Sequence, residues 1–353
     1  MKFSDFIDVR DGTHESPKAT DKGKKLITTK NLSTNHIDFS NAKNISVDDF
    51  NYINERSNVE KYDILLSMIG TVGNVYQEKN DNPDYAIKNL ALLKFHGDEL
   101  LSTWMNYYLQ SEDGQNKIKQ KLNGSTQQFI SLKELRNLEI ELPTKKEMET
   151  KSRPLNLIDG LIQKNNQIND NLLELAKALF HEKFSYDDEV LLSNYFLPKR
   201  GKNLLKRNVV NGYIPVVAGG LTPAAFHNKS NTESPVITIS SSGANAGYTQ
   251  IWGQKVWSSD SSYIDKTVTN NIYFWYLLIK SHQKQIFDSQ TGSAQPHVYP
   301  RDIGNILIPK INEVVAKKVD KAVTPVFQKI FQNKDENKKL ENIKAVLLDK
   351  YFD

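Results

Sequence analysis

The chain has 353 residues, 38% of them hydrophobic and 25% charged, with 15 Tyr, 15 Phe and 4 Trp. That is material for two packed cores, because single cores stop growing at roughly 250 to 300 residues, and it excludes a disordered polymer. A balance of 46 Lys+Arg against 42 Asp+Glu leaves a net charge of +4, and there is no cysteine. Wrapping of a polyanion by bulk charge, disulfide frameworks and thiolate metal sites are therefore excluded.

Residues 1–143 read as a globular domain of mixed α/β structure. It opens with Phe3-Ser4-Asp5-Phe6 and a turn at Gly12, and Asp63 to Gly73 reads as a buried strand entering a Gly-containing turn. Trp104, Tyr107 and Tyr108 have helical spacing and apolar neighbours, which points to core packing. The domain closes on Gly124-Ser125-Thr126-Gln127 and an apolar segment ending in Leu142-Pro143.

A long helix is predicted over 144–185. Ile158, Leu161, Asn165, Ile168, Leu172, Leu175 and Leu179 alternate spacings of three and four, the seam of a coiled coil. Leu157, Ile162, Leu173 and Phe180 fall off that seam and are expected to need cover. The second globular domain, 186–309, contains Leu192-Ser193-Asn194-Tyr195, a turn at Gly201, a buried strand running from Pro235 into Gly243 and Gly247, and the aromatic run Tyr273-Phe274-Trp275-Tyr276. A second helix, 310–353, offers the seam Val326, Ile330, Asn333, Leu340, Ile343 and Leu347. Lys164, Lys177, Lys183, Lys317, Lys318, Lys338 and Lys339 are expected on solvated helix faces.

These segments are two copies of one unit. Gly124-Ser125-Thr126-Gln127, with Ile130, Lys133, Glu134, Leu135 and Asn137, recurs 168 residues later as Gly292-Ser293-Ala294-Gln295, with Val298, Arg301, Asp302, Ile303 and Asn305. The end of the first helix, Leu179 to Phe184, matches Leu347 to Phe352 at the same offset. The first helix ends where the second domain begins and the second starts where that domain ends, so a pair of them is antiparallel. The expected fold is α+β, a pseudo-twofold internal repeat with an antiparallel coiled coil. About 40 helical residues span roughly 60 Å, more than one turn of B-DNA at about 34 Å. Asn165 and Asn333, at equivalent places, are expected to meet at the pseudo-twofold axis and fix register.

Two variable domains alternating with two long helices, the Gly-Ser-x-Gln block before each apolar-Pro junction, and the segments Asp11-Gly12-Thr13-His14-Glu15-Ser16-Pro17 and Ile27-Thr28-Thr29-Lys30-Asn31-Leu32 resemble the specificity subunits of Type I restriction-modification systems. The resemblance covers essentially the whole chain. It implies two target recognition domains, each reading one half of a split, asymmetric DNA site, and a helical spacer on which two methyltransferase (modification) subunits dock and a restriction/translocase subunit joins. It also implies a cytoplasmic, non-catalytic subunit without cofactor or metal. The lack of an 18-residue apolar run or secretory segment agrees with that location.

Base discrimination in the major groove uses Arg or Lys on guanine and Asn or Gln on adenine, so polar turn residues are the candidates. They are Arg10, Lys30, Asn31, Thr71, Asn74, Lys88 and Asn89 in the first domain. In the second they are Lys199, Arg200, Lys202, Ser241, Ser242, Asn245, Tyr248, Ser258 and Ser259. Gln127 and Gln295, repeated in both halves with Ser125, Gln128, Ser293 and His297 nearby, suit either phosphate contact or structuring of the turn.

Enzyme classes find little support. An amino-methyltransferase needs Pro-Pro-aromatic, and Asn82-Pro83-Asp84-Tyr85 lacks the second proline. A metal nuclease needs Pro-Asp followed by Glu-x-Lys, which Pro83-Asp84 lacks. There is no phosphate-binding loop, no Gly-x-Ser-x-Gly and no His-x-x-x-His. The competing reading is a coiled-coil interaction scaffold that does not bind DNA, which explains the helices but not two equivalent heads.

Overall fold

The computed structural model describes residues 1–181, 188–292 and 295–352. Lys183, Ser293 and the segment Glu182-Lys183-Phe184 of the repeat lie outside them. The chain forms two compact units, Met1–Ile162 with Lys338–Asp353, and Gln163–Asn337.

In the first unit a four-stranded antiparallel sheet has the order β1 (Asp8–Asp11), β9 (Leu90–Lys94), β6 (Ile64–Ser67), β7 (Val75–Gln77). Its two central strands are buried along their whole length and correspondingly apolar, because both faces are covered. One face packs on α2 (Glu99–Gln110), the helix of Trp104, Met105, Tyr108 and Leu109. The other meets a small sheet in which β2 (Lys24–Thr28) pairs antiparallel with β5 (Lys43–Ile45) and parallel with β8 (Tyr85–Lys88). A two-stranded ribbon, β3 (Leu32–Ser33) with β4 (His36–Ile37), and the helices α1 (Val47–Ser57), α3 (Glu112–Lys119) and α4 (Leu132–Arg136) complete the head. Lys94, itself buried, bonds Asp63 and the Asn58 carbonyl, both at 2.9 Å, so the buried charge is paired.

The long helix α5 (Lys145–His181) begins at a capping box. Thr144 Oγ1 accepts from the Glu147 N–H at 3.3 Å and the Glu147 carboxylate accepts from the Thr144 N–H at 2.8 Å. Those bonds from Thr144 hold the Glu147 carboxyl below its usual range.

The second unit repeats the two sheets of this plan, without the β3–β4 ribbon and α1. After β10 (Glu189–Leu191), its main sheet runs β11 (Lys199–Arg200), β17 (Ser261–Asp265), β14 (Val236–Ser240), β15 (Thr249–Trp252). In its small sheet β12 (Ile214–Val217) pairs antiparallel with β13 (Ala225–His227) and parallel with β16 (Trp257–Ser258). The core helix is α6 (Ile272–Ser281), followed by α7 (Gln283–Asp288), α8 (Pro300–Gly304), β18 (Leu307–Pro309), which pairs with β10, and the long helix α9 (Glu313–Phe352).

Within each unit α5 and α9 pair antiparallel: rising numbers on one meet falling numbers on the other. In the first unit Lys151 lies over the Phe352 ring at 5.6 Å and Asp159 bonds Lys344 at 2.8 Å. In the second, Asn165 Nδ2 donates to Asn337 Oδ1 and Asn333 Nδ2 to Asn169 Oδ1, both at 2.9 Å. Asn165 and Asn333 therefore do not meet. Each bonds the asparagine one turn beyond the expected partner, and the 168-residue repeat exchanges one pair for the other. Asn337 also donates to Asn166 at 2.9 Å.

The seam differs from the leucine pattern. On α5 the covered side runs through Met148, Ser152, Leu155, Ile158, Ile162, Asn165, Asn169, Leu173, Ala176 and Phe180, while Leu157, Leu161, Ile168 and Leu175 are exposed. Leu172 and Leu179 are half-buried. On α9 Val326, Ile330, Asn333 and Asn337 are buried and Leu340 and Leu347 half-buried, whereas Ile343 is exposed and Lys344 takes the inward place. Polar side chains with specific partners share the inward positions with Ile158, Val326 and Ile330, so apolar periodicity finds part of the stripe but also selects Leu161, Ile168, Leu175 and Ile343, which are exposed. For the same reason Ile162, Leu173 and Phe180 are covered, and Phe180 is fully buried in the core of the second unit. Lys164, Lys317, Lys318, Lys338 and Lys339 are exposed and Lys177 is half-buried.

Candidate nucleic-acid interface

Backbone pairing aligns the two heads residue by residue. Gly12 N–H bonds the Leu90 carbonyl as Gly201 N–H bonds that of Ser261, and Gly70 N–H bonds Gln128 as Gly243 N–H bonds Pro296. Asp11 and Leu66 both face Ala91 across the main sheet, and Arg200 and Ile239 both face Ser262. Asp11 and Arg200 thus hold the same place in the fold, as do Asn89 and Asp260. A side chain at Gly12 or Gly201 would sit 2.4 Å from the Ile87 carbonyl oxygen or 2.6 Å from that of Ser258, which is why glycine follows each of these residues.

At this shared place the two heads carry different chemistry. In the first, the buried Asp11 carboxylate accepts from Arg56 at 2.5 Å and lies 2.9 Å from His14, whose other ring nitrogen lies 2.9 Å from Asn89 Oδ1. Asn89 occupies the left-handed turn region at φ +55°, which asparagine tolerates. Arg10 is held by Asp8 at 2.7 Å and by the Arg56 carbonyl at 3.1 Å. In the second head, the partly exposed Arg200 bonds Asp260 at 3.1 Å, and its guanidinium lies 5.5 Å from the centroid of the exposed Tyr299 ring. Asp260 also accepts from Ser242 Oγ, and Tyr299 stacks on His297 at 5.9 Å. Asp11 and His14, met only within a motif, together with Arg56, Asp260 and Tyr299, were missed as site residues; the alignment of the second head on the first is the signal that finds them.

The remaining candidates divide by exposure. Lys30, Thr71, Gln127, Lys202 and Gln295 are exposed. Lys88 bonds Ser16, and the exposed Lys199 bonds Thr267 at 2.7 Å. Asn74 and Asn245 are half-buried and tie loops together through the Leu32 carbonyl at 3.0 Å and the Gly219 carbonyl at 3.2 Å. The Tyr248 ring lies under Lys280 at 4.4 Å. Four candidates are buried and cannot meet a base edge. Asn31 accepts from Thr28 N–H and Oγ1 at 3.0 and 2.8 Å, Ser258 shares a hydrogen bond with Ser261 at 2.7 Å, Ser259 accepts from Leu204 N–H at 3.0 Å, and Ser241 is fully covered. Short polar side chains in turns commonly serve the nearby backbone, as Asn31 and Ser259 do here.

In the first head the Gly-Ser-x-Gln block closes a small loop. Asn123 and Phe129 exchange two backbone bonds, as do Thr291 and His297. Gly124 and Gly292 sit at φ +88° and +91°, a region costly for other residues. Among the described residues no cluster of three or more His, Asp or Glu could hold a metal, and no helix is long and apolar enough to cross a membrane.

The family model described as the Type I restriction modification DNA specificity domain matches residues 1–174. The Mycoplasma genitalium protein named type I specificity subunit S.MgeORF438P is 26% identical over 267 residues, 70% of this chain and 69% of that protein. The specificity subunit of the Type I restriction enzyme MjaIX from Methanocaldococcus jannaschii is 24% identical over 333 residues, 81% and 76% of the two chains. The crystal structure of a Type I restriction-modification system S subunit from M. genitalium shares the fold, with a TM-score of 0.60, 22% identity and coverage of 100% of this chain and 95% of that one. The first half of the chain is thus a DNA specificity domain of the Type I restriction-modification class. Over most of its length the chain is similar to Type I restriction-modification specificity subunits.

Proposed function

We propose that this chain reads a bipartite, asymmetric DNA site, one half with each head, as the non-catalytic subunit of a Type I restriction-modification complex. Residues 1–143 and 186–309 act as the two target recognition domains, and 144–185 and 310–353 as the spacer. The observation that carries this reading is the contrast at one place of a duplicated fold: Asp11 with His14 and Asn89 in the first head, Arg200 with Asp260 and Tyr299 in the second. Identical frames with unlike donors and acceptors suit two different base sequences, because base edges are distinguished by donor and acceptor pattern.

On this reading two methyltransferase subunits and a restriction subunit supply the chemistry, and the helices hold them. The exposed Leu157, Leu161, Ile168 and Leu175 of α5 support docking, since apolar side chains of that size gain from cover. The test is long-read methylation mapping in cells expressing this chain with its modification subunit. A methylated motif of two specified blocks around a fixed unspecified gap is expected; a single continuous motif, or no motif, overturns the reading.

A further inference from the structure

Behind the small sheet of the first head lies a cavity of about 230 Å³ whose lining includes Phe39, Tyr76, Glu78, Asp84 and Tyr85. Glu78, a residue only 2% exposed, is part of that lining. One oxygen accepts from the Tyr85 hydroxyl at 2.6 Å and the other from the Asn80 N–H at 2.7 Å. No ion pair within 4 Å reaches Glu78 among the described residues; Lys24 and Lys61 are bound to Asp84 and Asp81 of the neighbouring loop. The Phe39 and Tyr85 rings meet edge to face, with centroids 5.5 Å apart, so the aromatic wall turns a π-face as well as an edge to its surroundings.

A carboxylate offers about four lone-pair positions, and two here are used by neutral donors. A buried negative charge without a cation is costly, and aromatic faces attract cations. An open cavity at such a point has the chemistry of a cation receptor. We propose that it binds the head group of a small organic cation carrying N–H donors, an alkylammonium or alkylguanidinium ion. The donor completes the hydrogen bonding of Glu78 while the Phe39 and Tyr85 rings enclose the alkyl stem and the charge. The site belongs to the first head alone and does not depend on how DNA is read.

The experiment is ligand-observed NMR titration of the full chain with butylammonium and methylguanidinium, with 1-butanol as the neutral isostere. Saturable binding of at least one cation is expected, with butanol at least tenfold weaker. Phe39→Ala, at an exposed rim position, should weaken the cation about 3- to 30-fold, the range of one cation–π contact. Glu78→Gln should weaken it at least tenfold; should that variant not fold, Phe39→Ala decides alone. Absence of saturable cation binding, equal binding of butanol, or cation binding by Phe39→Ala at wild-type strength overturns the proposal.

Discussion

Lys344 Nζ lies 2.8 and 2.9 Å from the two carboxylate oxygens of Asp159, and the Tyr107 hydroxyl donates to the same carboxylate at 2.9 Å. Burial, with Asp159 beside it, pushes the Tyr107 hydroxyl well up, so it remains a donor. The 168-residue repeat carries Asp159 onto Phe327 and Lys344 onto Ala176. There the head packs by stacking instead, Tyr273 on Phe327 at 4.9 Å. The first head is thus fastened to the helices by this ion pair together with Trp104 and Tyr108 against Phe352, and the second by aromatic stacking.

Lys344→Met leaves Asp159 covered without its cation. Removing one partner of a buried pair costs about 3 to 5 kcal/mol, and the side chains here, 10% and 17% exposed, place the expected loss near the lower end. Substituting the residues of the other half together, Asp159→Phe with Lys344→Ala, should recover most of it. Denaturant melts of the single and double variants check this; equal losses in both would show that the charge pairing is not what fastens the head.

The asparagine pairs should matter more for register than for stability. Asn333→Leu strands the Asn169 amide and is expected to cost about 1 to 3 kcal/mol, the desolvation penalty of an unsatisfied buried group. Asn169→Leu with Asn333→Leu should be as stable as the parent but less strict in alignment. Cysteine pairs placed in register and one heptad out, cross-linked in each background, read the difference.

Arg200→Ala should remove about 1 to 3 kcal/mol of discrimination at a base of one half-site and leave the requirements of the other half intact. Ser258→Ala, at a fully covered hydroxyl, should leave the recognised sequence unchanged while lowering stability by about 1 kcal/mol. Methylation mapping of both variants separates a reading residue from a framework one; a shifted motif for Ser258→Ala would contradict the burial argument.

Burial holds the Asp320 carboxyl above its ordinary value of 3.8, against the opposing pull of the Phe274 N–H that it accepts at 3.0 Å. The folded state therefore favours the protonated form. The contribution of this group is most favourable at acidic pH and declines as pH rises from the unfolded value through the folded one. Asp320→Asn retains an acceptor for Phe274 and should flatten the fall in stability from about pH 4 upward, measured as chemical denaturation at stepwise pH.

The duplicated plan was legible because its markers are backbone requirements: Gly12 and Gly201 at close approaches, Gly124 and Gly292 in left-handed loops. Such requirements leave a residue type that survives divergence. The inward face of the helices was legible only in part, through Ile158, Val326 and Ile330. Other inward positions are held by Asn165, Asn169, Asn333, Asn337, Asp159 and Lys344, each satisfied by a partner more than 160 residues away in sequence. Apolar counting prefers Leu161, Ile168 and Leu175, which are exposed. Among the candidate DNA contacts, residue type could not separate Ser242, on the surface cluster with Asp260, from Ser241 beside it, which is covered; only the pleat of the chain distinguishes them.

The two asparagine clasps are images of each other, so each would form equally well between two identical copies of either half: Asn165 of one copy would find Asn169 of the other. The ion pair does not share that symmetry. A doubled first half would set Asp159 against Ala176, and a doubled second half would set Lys344 against Phe327, each burying an ion with no counter-ion. The ion pair thereby distinguishes the two halves where the asparagine pattern is indifferent.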